Sequence, residues 1–320
     1  MGMNSSSDVC AKLRSVIYDR LTPYIKSDYV LLGLPYYNNI GDTLIWEGEL
    51  EFLKSIKYKC LGVCGWDSYP AVGFDDNVTI LITGGGYFGD VWRKAWQNVL
   101  NGIKNNKNNS IIFMPQTIFY ENEYIRDQDS RLLADFKNLV ICARDMISYN
   151  YAKKFFSNEV LLVPDMAFCI KPSYLWNLVK PQTNDILLLR RKDKELRDEK
   201  IDIVEENFNI SDWPTYENTS KSEQWVYRID RRLKYIPGER IRHFLRSQLY
   251  YRIYRPLMLR LGVEFISQYR KIYTTRLHVM ILSVLLDKEV VVIDNSYGKL
   301  SSFYKTWLTD YSKISLYESR

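Results

Sequence analysis

Short apolar runs, each cut off by polar or glycine-rich residues, recur along this chain. Tyr29-Val30-Leu31-Leu32-Gly33 precedes Asn38-Asn39-Ile40-Gly41-Asp42, and a helix is predicted from about Thr43. Val78 to Thr83 runs into Gly84-Gly85-Gly86-Tyr87-Phe88-Gly89-Asp90, read as a glycine-rich turn before a helix from about Val91. Ile111 to Met114 leads to Pro115-Gln116-Thr117, Leu139 to Cys142 to Ala143-Arg144-Asp145, and Val160 to Val163 to Pro164-Asp165. Continuous apolar runs of this length suit strands buried on both faces, and strand, polar loop, helix in repetition is the pattern of a parallel doubly wound sheet. The loops of such a sheet gather along one edge, where ligands bind.

The rhythm restarts further on. Lys171 to Asn184, with Pro172 and Pro181, reads as a crossover, and Asp185 to Leu189 opens a second unit that ends in Arg190-Arg191-Lys192-Asp193. Residues 194–225 are charged and weakly periodic and are assigned to helices. Thr274 and Thr275 are expected to cap a helix with an apolar side of Leu277, Met280, Ile281, Val284 and Leu285. Val290 to Ile293 is a buried strand, with Lys299 beyond its carboxyl end. Arg276 and His278 then fall in the first helical turn, where unpaired N–H groups and the positive end of the macrodipole favour an anion. Such residues also decorate ordinary helix ends. The chain holds only 2 His, however, and one of them adjoins an arginine at the mouth of its most apolar helix.

A length of 320 residues exceeds a single core, which gives two α/β domains, 1–175 and 176–320. Hydrophobic residues at 46% and charged residues at 26% are globular proportions, and 25 Tyr and 8 Trp offer flat surfaces on which sugars stack. No apolar run reaches the length of a bilayer span and Met1 to Asp8 is polar, so a cytoplasmic location is expected. Cys10, Cys60, Cys64, Cys142 and Cys169 form no CxxC pair, and with so few histidines no metal site is expected.

Three of these loops admit more than one reading. Gly84, Gly86 and Gly89 match GxGxxG, but a dinucleotide site wants an acid about 20 residues on, and Lys104 to Asn109 has none. That excludes NAD and leaves a turn whose backbone can approach a ligand. Gly41 and Asp42 suit a tight turn and an N-cap as well as they suit ligand contact. Arg144 and Asp145 can equally be caps.

From Val226 to Leu261 ten Arg and Lys face two acids, so this stretch alone exceeds the net charge of +6 of the whole chain. Ile241, Leu245, Leu249, Ile253, Leu257 and Leu261 recur every four residues. A basic amphipathic helix kinked at Pro256 is predicted, suited to an anionic membrane surface through 240–261 or to ordinary packing. No nucleic-acid-binding motif accompanies the charge, so nucleic acid is not an expected partner.

Asn39-Ile40-Gly41-Asp42, the 84–90 glycine stretch, Pro115-Gln116, Ala143-Arg144-Asp145 with Ser148, Pro164-Asp165, Arg276-Leu277-His278 and Tyr297-Gly298-Lys299 together resemble the polysaccharide pyruvyl transferase family. The resemblance covers about Tyr29 to Leu308 except 194–262. It implies a GT-B-like α/β fold of two Rossmann-like domains, their parallel sheets facing across a cleft, with the acceptor on the first and phosphoenolpyruvate on the second. It further implies transfer of a pyruvyl group from phosphoenolpyruvate, a co-substrate rather than a cofactor, to two hydroxyls of a lipid-linked or nucleotide-linked sugar as a cyclic ketal. In that reading Arg276, Leu277, Lys299 and Arg144 bind the donor, His278 protonates it, and Asp42 or Asp90 acts as base. Asn39, Gly41, Gly85, Gly86 and Gln116 are acceptor or loop contacts. A glycosyltransferase of the same fold using a nucleotide sugar, and a non-catalytic saccharide-binding protein, are the alternatives.

Overall fold

The computed structural model describes residues 5–197, 201 and 207–318. The chain forms two compact units: one takes Leu13–Tyr36 and Ile45–Cys169, the other Tyr37–Leu44 and the chain from Ile170 onward, with the start of the first helix. Among the described residues no helix is long and apolar enough to cross a membrane.

The first unit carries β1 (Tyr29–Leu34), β2 (Cys60–Gly65), β3 (Thr79–Ile82), β4 (Gly85–Gly89), β5 (Ile111–Phe119), β6 (Leu139–Ala143) and β7 (Glu159–Leu162). All pair in parallel, in the order β2-β1-β3-β5-β6-β7, with β4 beside the far half of β5. Every residue of β1, β3 and β6 is buried, as expected of strands covered on both faces. The covering helices are α1 (Ser6–Leu21), α2 (Ile40–Leu53), α3 (Arg93–Ile103), α4 (Glu123–Ala134) and α5 (Met146–Phe155). α3 shows why: Trp96, Val99, Leu100 and Ile103 are spaced to share one helical face, and all four are buried. Trp96 stacks on Phe88 at 4.0 Å between centroids and donates its ring N–H to Asp129 at 2.8 Å.

The predicted glycine turn is instead the strand β4. Its glycines serve close approach: Gly89 has φ +132°, and a Cβ there would stand 1.8 Å from the Phe119 carbonyl oxygen. No side chain is compatible with that position.

The second unit contains β8 (Asn184–Leu189), β9 (Phe208–Ser211), β10 (Tyr269–Thr274), β11 (Glu289–Val292) and β12 (Ile314–Leu316), parallel throughout in the order β12-β11-β10-β8-β9. β9 lies in the stretch assigned to helices; of that stretch, 198–200 and 202–206 fall outside the described residues. The unit's helices are α6 (Pro172–Trp176), α7 (Pro214–Glu217), α8 (Lys221–Leu233), α9 (Glu239–Leu249), α10 (Arg255–Ser267), α11 (Leu277–Leu285) and α12 (Lys299–Trp307). Two parallel-sheet, Rossmann-like α/β units are thus present, the kind from which GT-B folds are built.

The basic segment is not one kinked helix. α8 ends at Leu233, and α9 passes into α10 through a π turn, Tyr250–Tyr254, which sets Pro256 in the first turn of α10. A proline lacks the N–H and crowds the carbonyl four residues back, and a π turn is one way for a helix to pass it unbroken.

Candidate active site

In the second unit the chain places β8 and β9 outward on one side, then returns to lay β10 on the other side of β8. The strand order therefore reverses between β8 and β10, and open α/β sheets hold their ligands outside the carboxyl ends at such a point. Arg191 follows β8, Arg276 follows β10, and Asn295 to Lys299 follow β11. The two threonines stitch this edge together and do not cap α11. Thr274 Oγ1 accepts from the Arg276 N–H at 3.0 Å, and Thr275 Oγ1 accepts from the Arg191 N–H at 2.9 Å. Arg276 occupies the N-cap position with no side-chain cap bond, so α11 opens with its positive end toward this edge, and His278 stands in its first turn.

The expected cations are here, and each is held by a carboxylate. Arg276 grips Asp212 through two parallel bonds, Nε to Oδ1 at 2.5 Å and Nη2 to Oδ2 at 2.6 Å, and Nη2 reaches Asp193 at 3.3 Å. Its guanidinium lies over the Tyr216 ring at 4.9 Å. Arg191 bonds Asp193 and Glu195, both at 2.7 Å. Glu195 Oε2 also accepts from Tyr297 at 2.8 Å, Asn295 at 3.2 Å and Lys299 at 3.4 Å. Burial of Asp193 opposes its ionisation, but bonds from Arg191 and the charges of Arg191 and Arg276 outweigh it and hold the carboxyl below its ordinary value. Burial also pushes the Tyr216 hydroxyl well up, against the nearby charge of Arg276.

Tyr37–Leu44 brings further groups to this unit. Asn39 supplies the turn at the start of α2, its Oδ1 accepting from Gly41 N–H at 2.9 Å and Asp42 N–H at 3.4 Å. Asp42 is therefore not the N-cap. Its carboxylate accepts from the Tyr37 hydroxyl at 2.8 Å and Asn39 Nδ2 at 2.6 Å, which orient it. Gly41 lies directly against the imidazole: a Cβ would come within 2.6 Å of His278 Nδ1. Asn38 ties the segment to the Thr215 carbonyl at 2.7 Å. One unit thus gathers Asn39, Gly41, Asp42, Arg276, Leu277, His278 and Lys299, with Leu277 buried in the core and Arg276 and His278 each 9% exposed.

The remaining candidates belong to the first unit. Asp90 accepts from the N–H groups of Glu121 and Asn122, at 2.9 and 2.7 Å, and so pins the loop after β5. Gly85 and Gly86 lie in β4. Gln116 donates to the Thr83 carbonyl at 2.7 Å, while its buried Oε1 has no partner among the described residues, which is unusual for a buried acceptor. Arg144 is fully buried, bonded to Asp165 at 2.7 Å and Thr117 at 2.8 Å. Asp145, not Arg144, caps α5, accepting from Ser148 N–H at 2.9 Å.

Asp193, Glu195 and Asp212 were not expected at this edge. Asp193 closes the Arg190-Arg191-Lys192-Asp193 run, whose place after a strand was a signal. Asp212 gave none, because it meets Arg276 across 64 residues of sequence.

A sequence model of the family described as polysaccharide pyruvyl transferase matches residues 39–297. "Putative pyruvyl transferase EpsO" of Bacillus subtilis is 29% identical over 287 residues, which cover 88% of this chain and 86% of that one. "Pyruvyl transferase 1" of Schizosaccharomyces pombe is 27% identical over 294 residues, 87% of this chain and 69% of that one. A crystal structure of an uncharacterized Klebsiella pneumoniae protein superposes with a TM-score of 0.62 at 21% identity, covering 96% of this chain and 99% of its own. That last likeness speaks to the fold alone.

Proposed function

The chain belongs to the polysaccharide pyruvyl transferase family, and we propose that it moves a pyruvyl group from phosphoenolpyruvate onto two hydroxyls of one sugar, as a cyclic ketal, during exopolysaccharide or capsular polysaccharide assembly. The observation that carries this reading is His278, set in the uncapped first turn of α11 between Arg276 and the Gly41-Asp42 segment. An imidazole can carry a proton on either ring nitrogen and give it up, which suits it to deliver one to the methylene carbon of the donor. C2 then accepts the first sugar hydroxyl, whose proton passes to Asp42. The second hydroxyl closes the ketal as phosphate leaves with the remaining proton.

Arg276 holds the donor's anionic groups beside the positive end of α11, and Lys299 neutralises the phosphate. Both are paired with carboxylates, so donor binding competes with Asp212 and Glu195 for them. Asp90 is engaged by two backbone N–H groups, which favours Asp42 as base. Arg144, enclosed by Asp165 and Thr117, holds the framework of the first unit and is not assigned to the donor. The acceptor is a lipid-linked or nucleotide-linked sugar met through Gly85, Gly86 and Gln116, and the enzyme works in the cytoplasm, touching an anionic membrane surface through 240–261. Calorimetry tests the donor: phosphoenolpyruvate is expected to bind, and to release phosphate when a sugar acceptor is added. Binding of a nucleotide sugar without phosphoenolpyruvate would replace this reading with glycosyl transfer.

A further inference from the structure

α6, α8, the π turn and the start of α10 enclose an open groove of about 690 Å³ on the second unit. Three cations line it, Lys221, Arg252 and Arg260, with no carboxylate among the described lining residues. Arg252 donates to a neutral acceptor, Gln248 Oε1 at 2.7 Å. Trp225, Pro256 and Leu257 supply apolar walls, and Trp225 is 52% exposed. Cations without acids above apolar walls suit a ligand that is anionic at one end and hydrocarbon at the other. The neighbouring surface has the same character: Ile241, Phe244, Tyr251 and Ile253 are between 42% and 62% exposed, interleaved with Arg240, Arg242 and Arg252.

We propose that this groove seats the anionic head of a membrane lipid, with Trp225 and the exposed side chains of α9 and the π turn entering the interface around it. The proposal rests on the membrane contact suggested for 240–261 and narrows it to a headgroup site. Charge complementarity commits the groove to lipid: the cations meet the phosphate while the apolar walls and flanking side chains meet acyl chain.

Co-sedimentation of the full chain with vesicles tests it, using phosphatidylcholine with and without phosphatidylglycerol. Binding is expected only with phosphatidylglycerol, weakening as salt is raised. The Lys221→Gln/Arg260→Gln variant should partition about 30-fold less, at roughly fivefold per cation. Ile241→Ser/Phe244→Ser should weaken binding while leaving its headgroup preference. Absence of binding overturns groove and membrane contact together, and equal binding to both vesicles overturns the groove and any preference for an anionic surface. If the charge variant sediments like the wild type while the apolar variant does not, the groove is overturned and the membrane contact stands. Phosphate release from phosphoenolpyruvate with a soluble acceptor should be unchanged in both variants, so this test is separate from that of the donor.

Discussion

Arg144 and Arg276 share a local design: each leaves the carboxyl end of a parallel strand and meets a buried aspartate. Their surroundings differ. Arg144 is 0% exposed, shut between Asp165 and Thr117. Arg276 keeps 9% exposure, divides its donors between its aspartate and a second carboxylate, lies over Tyr216 and stands next to an uncapped helix start. A buried pair with no opening is architecture, because moving either partner strands a charge in a low dielectric. A pair at the rim of a sheet's switch point can change partners, since an incoming anion replaces the carboxylate it displaces.

The sharpest break in that comparison comes from His278→Ala. It should lower phosphate release about 100- to 10,000-fold with an unchanged thermal midpoint; wild-type turnover in this variant would remove the proton-donor role. Arg144→Ala should do the reverse, costing about 3–5 kcal/mol in urea unfolding as Asp165 loses its partner. Arg276→Lys keeps charge but loses the bidentate grip, so donor affinity by calorimetry should fall roughly tenfold, at about 1.4 kcal/mol. Equal effects of Arg276→Lys and Arg144→Lys on donor binding would erase the distinction between the pairs. Gly41→Ala pushes a methyl into the imidazole and should reduce turnover about tenfold while leaving stability within about 1 kcal/mol; a shifted His278 ring resonance in NMR would report the displacement. The smallest effect concerns acid. The Asp193 carboxyl is held below its ordinary value, so its contribution is complete above about pH 4 and is lost as pH falls through the depressed value. Asp193→Asn should therefore lower stability at neutral pH and flatten the acid limb of the stability curve, the variant and the wild type converging once the pH falls below the depressed value.

Strand positions were legible because buried parallel strands are unbroken apolar runs, and the edge carrying Arg276, His278 and Lys299 followed from them. What escaped was non-local. Asp212 lies in a weakly periodic stretch, and no local pattern shows that it folds back onto Arg276. Tyr37–Leu44 follows β1 in sequence yet is counted with the second unit, so chain order placed Asp42 in a different domain from His278. The glycine run was read as a turn because glycine usually makes turns; here it permits backbone contact between β4 and β5. The threonines were read as caps, whereas the Thr275 hydroxyl joins the ends of β8 and β10 and the Thr274 hydroxyl holds the Arg276 N–H.

The π turn at Tyr250–Tyr254 has a bearing on how this sequence can change in length. Each residue added to an α-helix rotates everything beyond it by about 100°, which ordinarily turns a buried face outward. Here one surplus residue is already absorbed, with Leu249 and Leu257 both buried on either side while Ile253 stands out at 42%. A single-residue deletion within 250–254 would keep both buried faces in register, but it would set Pro256 in continuous α geometry against the carbonyl four residues back, so the slack is one of facing and carries a proline clash.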